Sequence, residues 1–125
     1  MSSRFGYPRG LRLRSRKDIA AVFRKGRYHR LGMLHAKTLP ATGATPRFLI
    51  SVKKKVGTAP ERNRIKRVVR EAIRLHRAAL TAPYDICLFL TGRPRELPRL
   101  ETVEPEIEKL FQRLAAAGPQ TPEGS

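Results

Sequence analysis

The 125-residue sequence contains no apolar run approaching the roughly 20 residues needed to span a bilayer. Its opening, "MSSRFGYPRG", lacks the apolar stretch of a secretory signal. A cytoplasmic protein is the expectation. There is one cysteine, so no internal disulfide can form, and Cys87 sits in the apolar run "YDICLFL", where a buried, inert thiol is expected. No Cys/His cluster is present, and His29, His35 and His76 are scattered. Asp18 and Asp85 lie on different elements. No pair of groups has the spacing of acid/base catalysis or of a metal site, which argues against a protein that cuts RNA by itself. Acidic residues are also scarce, 10 against 27 Lys and Arg, for a net charge of +17. A compact chain with that balance repels itself, and a polyanion such as RNA, DNA or an anionic membrane relieves the repulsion.

The length suits one domain with one modest core. Residues 1–14 are basic, without helical or strand period, and read as a flexible arm; 15–117 read as the folded domain; 118–125, "GPQTPEGS", read as a disordered tail. In "SRKDIAAVFRKG", Ser15 is a candidate N-cap, Ile19, Val22 and Phe23 form an apolar face, and Gly26 is a stop. Two strand candidates follow, 31–39 and 47–52, the second with Phe48, Ile50 and Val52 on one face. "PATGATP" between them suggests an antiparallel hairpin. "TAPE" at 58–61 has capping-box spacing ahead of a long basic helix. "YDICLFL" reads as a strand covered on both faces, and Ile107, Leu110, Phe111 and Leu114 mark a last helix, with Glu101, Glu104, Glu106 and Glu108 complementing its dipole. The order indicates an α+β sandwich around one mixed sheet.

The basic helix carries the functional signal. Around Ile65, an arc containing Val68, Val69, Ala72, Ile73, Leu75, His76 and Ala79 is expected to face the core. Asn63, Lys66, Arg67, Arg70, Arg74 and Arg77 share a neighbouring arc, where only Glu71 offers a nearby carboxylate. A solvated face usually mixes signs at i,i+4, whereas like charges at that spacing cost about 0.2–0.5 kcal/mol each. Segregated arginines instead suit phosphate, which they bind bidentately. Lys53, Lys54 and Lys55 precede the helix N-terminus, itself an anion-attracting end. A membrane surface is disfavoured because the helix has no Trp or Phe on its apolar face.

The run "SVKKKVGTAPERNRIKRVVREAIR" resembles the signature of the bacterial ribonuclease P protein subunit: a lysine-rich strand end, a glycine, then an R-N-R-x-K-R-x-x-R helix. "DIAAVFRKG" resembles that family's first helix, and "YDICLFL" its late strand. The resemblance implies an α-β-β-(β)-α-β-α sandwich with a left-handed βαβ crossover, against the usual rule. It implies that Arg62, Asn63, Arg64, Lys66, Arg67 and Arg70 face the catalytic RNA, with Lys53, Lys54 and Lys55 lining the same region and Arg74 on the same helix face. It further implies a cleft between the first helix and the sheet that takes the single-stranded 5′ leader of precursor tRNA, at Ile19 and Phe23, and Phe48 on the second strand candidate is expected to face the same cleft. Ile19 departs from the aromatic common there. The implied activity is that of a ribonucleoprotein endonuclease whose Mg²⁺ ions, held by RNA and substrate, activate water and stabilise the leaving oxygen. One protein per RNA and no small-molecule substrate are expected. Composition alone would serve a ribosomal or general RNA-binding protein equally well.

Overall fold

The computed structural model describes residues 12–43, 45–80 and 82–117. The expectations for residues 1–11 and 118–125 lie outside the described residues. In chain order the elements are α1 (Arg16–Lys25), β1 (Arg27–Arg30), β2 (His35–Pro40), β3 (Arg47–Val52), α2 (Ala59–His76), β4 (Tyr84–Leu90) and α3 (Leu100–Ala117), with 3-10 turns at Lys54–Val56 and Arg77–Ala79. This is the expected α+β order.

Local signals place the ends of α1. The Ser15 hydroxyl accepts the Asp18 N–H at 3.3 Å, and the Gly26 N–H closes the last turn on the Val22 carbonyl at 2.7 Å. A Cβ at Gly26 would stand 2.3 Å from that carbonyl oxygen, so the tight exit into β1 needs glycine.

Sheet order is β1-β2-β4-β3, antiparallel except for the parallel β3/β4 pair. The expected hairpin between 31–39 and 47–52 does not form. The antiparallel hairpin is β1–β2, which turns through Leu31–Leu34, where the Leu31 N–H donates to the Leu34 carbonyl at 3.0 Å and Gly32 has φ 144°. β4 enters between β2 and β3 because every residue of "YDICLFL" but Phe89 is buried, and a strand covered on both faces belongs at the centre. Its parallel pairing with β3 requires a long crossover, and α2 supplies it. Glu106 of α3 pins the β1–β2 turn: its carboxylate accepts the N–H groups of Met33 at 3.2 Å and Leu34 at 3.0 Å.

The main core lies between one sheet face and α2 and α3. Ala36, Phe48, Ile86 and Leu88 meet Ile65, Val69, Ile73, Ile107 and Phe111 there. The stripe of α2 is narrower than expected. Ile65, Val69, Ala72 and Ile73 are buried, but Leu75, at the edge of the arc, is 45 % exposed, and Ala79 is exposed in the 3-10 turn, which breaks the 3.6-residue period.

On the opposite face α1 covers a smaller cluster of Leu13, Val22 and Cys87, flanked by Ile19, Leu39 and Leu49. Burial, and secondarily Asp85, pushes the Cys87 thiol up to about 12, so it stays protonated and inert. Leu13 corrects the boundary of the arm. It is 2 % exposed, its N–H donates to the Phe48 carbonyl at 2.8 Å, and Arg12 forms an isolated parallel bridge with Phe48. Residues 12–14 are therefore packed onto the folded domain, through a buried side chain worth about 1.5–3 kcal/mol together with a main-chain bond to β3.

Candidate nucleic-acid interface

α2 begins with both bonds of its capping box. The Glu61 N–H donates to the Thr58 hydroxyl at 3.3 Å, and the Thr58 N–H to Glu61 Oε1 at 2.8 Å. Arg93, from the loop after β4, donates to the Val56 carbonyl at 3.0 Å and to Glu61 Oε1 at 3.2 Å, tying the lysine turn, the helix start and that loop together. The Arg93 guanidinium, then the Thr58 N–H, hold the Glu61 carboxyl down from 4.5 to about 2. A carboxyl that is more acidic when folded stabilises fully above its unfolded value and loses that contribution as pH falls through the folded one. Melting temperature measured across pH should accordingly drop between about 4.5 and about 2, and Glu61→Gln should make that drop shallower. An unchanged profile in the variant would mean that the cap does not titrate.

The helix displays its cations unevenly. The side chains of Arg64, Lys66, Arg67 and Arg70 make no hydrogen bond or ion pair among the described residues. Lys66, Arg67 and Arg70 share one arc with Asn63, and Lys66 and Arg70 repel at i,i+4 with no carboxylate between them. Arg64 lies just beyond the Arg67 edge of that arc, about 60° from Arg67 around the axis at 3.6 residues per turn. Arg62 is partly committed, donating to the Gly57 carbonyl at 2.7 Å. Arg74 is held bidentately by Glu71, at 3.1 and 2.5 Å. Lys53, Lys54 and Lys55 are exposed at the carboxyl end of β3, within six residues of the start of α2.

The sheet face toward α1 carries a second feature. Arg47 of β3 joins Asp85 of β4 through two bonds of 2.9 and 2.8 Å and reaches Asp18 of α1 at 3.2 Å, which fixes α1 over the sheet. The Lys37 ammonium donates to the Phe23 carbonyl at 2.7 Å near the helix C-terminus. Phe23 is 38 % exposed, too open for a core residue. Its ring begins a row running from α1 across β4 and β2 to β1: Phe23 to Phe89 at 5.8 Å, Phe89 to His35 at 5.3 Å, His35 to Tyr28 at 5.8 Å, the last two pairs stacked. The Tyr28 hydroxyl meets His35 Nδ1 at 2.5 Å. Such a row offers successive flat faces on which unpaired bases can stack.

Ile19, on the same helix as Phe23, is half-buried and packed on the Leu13 cluster. Phe48 does not reach this face. It is 1 % exposed on the other side of the sheet, its ring 5.8 Å from Phe111. Strand alternation explains the correction: Arg47 and Leu49 turn toward α1, so Phe48 must turn toward α2 and α3. In the sequence His35 is only one of three scattered histidines, and Tyr28 and Phe89 do not stand out. Their signal is weak, a short "RYHR" strand and one aromatic in an apolar run, because only cross-strand register aligns them. Among the described residues no group of three His, Cys, Asp or Glu side chains is placed to hold a metal ion.

The family profile described as Ribonuclease P matches residues 7–115. The ribonuclease P protein component of Desulforapulum autotrophicum is 36 % identical over 110 residues, covering 88 % of this chain and 93 % of that one. Its counterpart in Dictyoglomus thermophilum is 39 % identical over 92 residues, covering 74 % and 75 %. Among solved structures, the RNase P protein from Thermotoga maritima superposes with a TM-score of 0.71 at 27 % identity, covering 82 % of this chain and 96 % of that one. A Staphylococcus aureus RNase P protein mutant with defective mRNA degradation activity shares the fold, with a TM-score of 0.70 at 22 % identity over 85 % and 89 %.

Proposed function

The chain belongs to the ribonuclease P protein family, the protein component of an endoribonuclease, and on that premise we propose that it works through two surfaces on opposite sides of its sheet. The α2 surface, with Lys66, Arg67 and Arg70 supported by Asn63 and the lysines at 53–55, grips phosphates of the ribonuclease P RNA. The cleft under α1, with Phe23, Phe89, His35 and Tyr28, takes the single-stranded 5′ leader of precursor tRNA by stacking. The observation that carries this reading is that Lys66, Arg67 and Arg70, on one arc of α2, make no ion pair among the described residues. In this reading the chemistry belongs to the RNA, whose Mg²⁺ ions activate the attacking water. The protein lowers phosphate repulsion, holds the leader in line and so raises affinity for substrate and metal together, one protein per RNA.

Reconstitution tests both surfaces. Protein alone should leave precursor tRNA intact, and added to the RNA it should lower the Mg²⁺ needed for 5′ cleavage. Specific cleavage by RNA-free protein would overturn the division of labour. Phe23→Ala and Phe89→Ala should each weaken binding of leader-bearing precursor to the assembled complex by about 1–3 kcal/mol, and leave leaderless tRNA unaffected. Equal losses on both substrates would remove the cleft from the reading.

A further inference from the structure

A groove of about 230 Å³ opens at the free edge of β3, lined by Arg12, Leu13, Arg14, Phe48, Leu49, Ile50, Lys66 and Arg70. Four of these are cations drawn from two elements far apart in sequence, and none is acidic. The segment at 12–14 is held there by the buried Leu13 side chain and its bond to the Phe48 carbonyl, so the position of Arg12 and Arg14 beside α2 is built into the fold. Backbone groups alternate along a strand, which turns the Ile50 N–H to the same side as the Phe48 carbonyl, toward the groove; the bridge to Arg12 is isolated. Leu49 faces α1 and Ile50 packs against the main core, so the groove crosses the sheet edge between the two surfaces described above. Its volume falls below the roughly 300 Å³ at which small-molecule sites begin.

We propose that this groove is a binding site for the RNA phosphodiester backbone, in which Arg12 and Arg14 act with Lys66 and Arg70 on the same phosphates. The proposal rests on the reading of α2 as an RNA-binding face, and it adds the N-terminal segment as a second, built-in wall of that face. The phosphates belong either to the ribonuclease P RNA or to the precursor leader.

The full-length chain is titrated with ribonuclease P RNA at several salt concentrations as the wild type, as Arg12→Ala with Arg14→Ala, as Lys66→Ala with Arg70→Ala, and as the fourfold variant. The expected result is about a tenfold loss of affinity for each pair, with the salt slope shallower by about one to two. Because the pairs share phosphates, the fourfold variant should lose less than the product of the two. A loss with RNA alone assigns the phosphates to that RNA. A loss only when leader-bearing precursor joins the assembled complex assigns them to the leader. If Arg12→Ala with Arg14→Ala leaves both affinities and both slopes at wild-type values while the α2 pair is weakened, the groove is refuted and the α2 reading stands. If neither pair loses affinity, the α2 reading itself fails. Losses that multiply fully refute a shared site. Lys109→Ala with Arg113→Ala removes the same charge from α3, outside the groove; an equal loss there would reduce the effect to net charge and overturn the proposal. Thermal melts of each variant confirm that the exposed Arg12 and Arg14 are not needed for folding.

Discussion

The affinity of this protein for ribonuclease P RNA is expected to fall by roughly 10³ between 50 and 200 mM monovalent salt, the loss appropriate to about six neutralised phosphates. The count follows from geometry. Lys66, Arg67 and Arg70, on one arc of α2, have no ion pair among the described residues, and Lys53, Lys54 and Lys55 are exposed just before its N-terminus. Each phosphate contact releases condensed counterions, and salt opposes that release in proportion to the number of contacts. Arg74, already neutralised by Glu71, should add little: Arg74→Ala is expected to change the slope less than Arg67→Ala. A nearly flat salt dependence, measured by filter binding or fluorescence anisotropy, would sink the phosphate-face assignment altogether.

Phe48→Ala is expected to remove about 3–5 kcal/mol of folding stability, the range for deleting a buried aromatic side chain. The ring is 1 % exposed against Phe111, between the sheet and α3, so its loss leaves a cavity that backbone pinned by β4 on one side and by Leu13 on the other cannot close. For a domain of this size each kcal/mol lowers the melting temperature by about 4–8 °C. Every activity should decline together, leader-bearing and leaderless substrate alike. Phe23→Ala should behave in the opposite way, with a small change in melting temperature and a loss confined to the leader, because its ring is already 38 % exposed. A Phe48→Ala protein that melts normally yet discriminates against leader-bearing substrate would mean that the strand faces the other way.

What could be read from the sequence was whatever depends on near neighbours in the chain. The Ser15 cap, the Thr58–Glu61 box and the long basic helix are set by groups three or four residues apart, and all are present. The partners of a strand are different, since they are chosen by burial across the whole domain. The turn-rich stretch between the second and third strands invites a hairpin, but the more apolar β4 competes for both of their edges and displaces it. Period two separates Phe48 from Leu49 correctly, yet nothing in the strand itself says which side α1 will cover. The aromatic row has the same origin: Tyr28, His35, Phe89 and Phe23 come from four elements and meet only once register is fixed. Arg12 and Arg14 read as part of a flexible arm because one buried leucine carries no period.

The central position of β4 also bears on how the chain comes into being. Both neighbours of that strand, β2 and β3, precede it in the sequence, and they do not pair with each other. Until the ribosome has released residue 90, the nascent chain holds an isolated hairpin and a cationic helix with no sheet to join them. Two-stranded hairpins are marginal alone, and contacts that close long loops form slowly. The basic helix therefore emerges before the core that will position it, in a cell full of RNA. Specific assembly has to wait for the last third of the polypeptide.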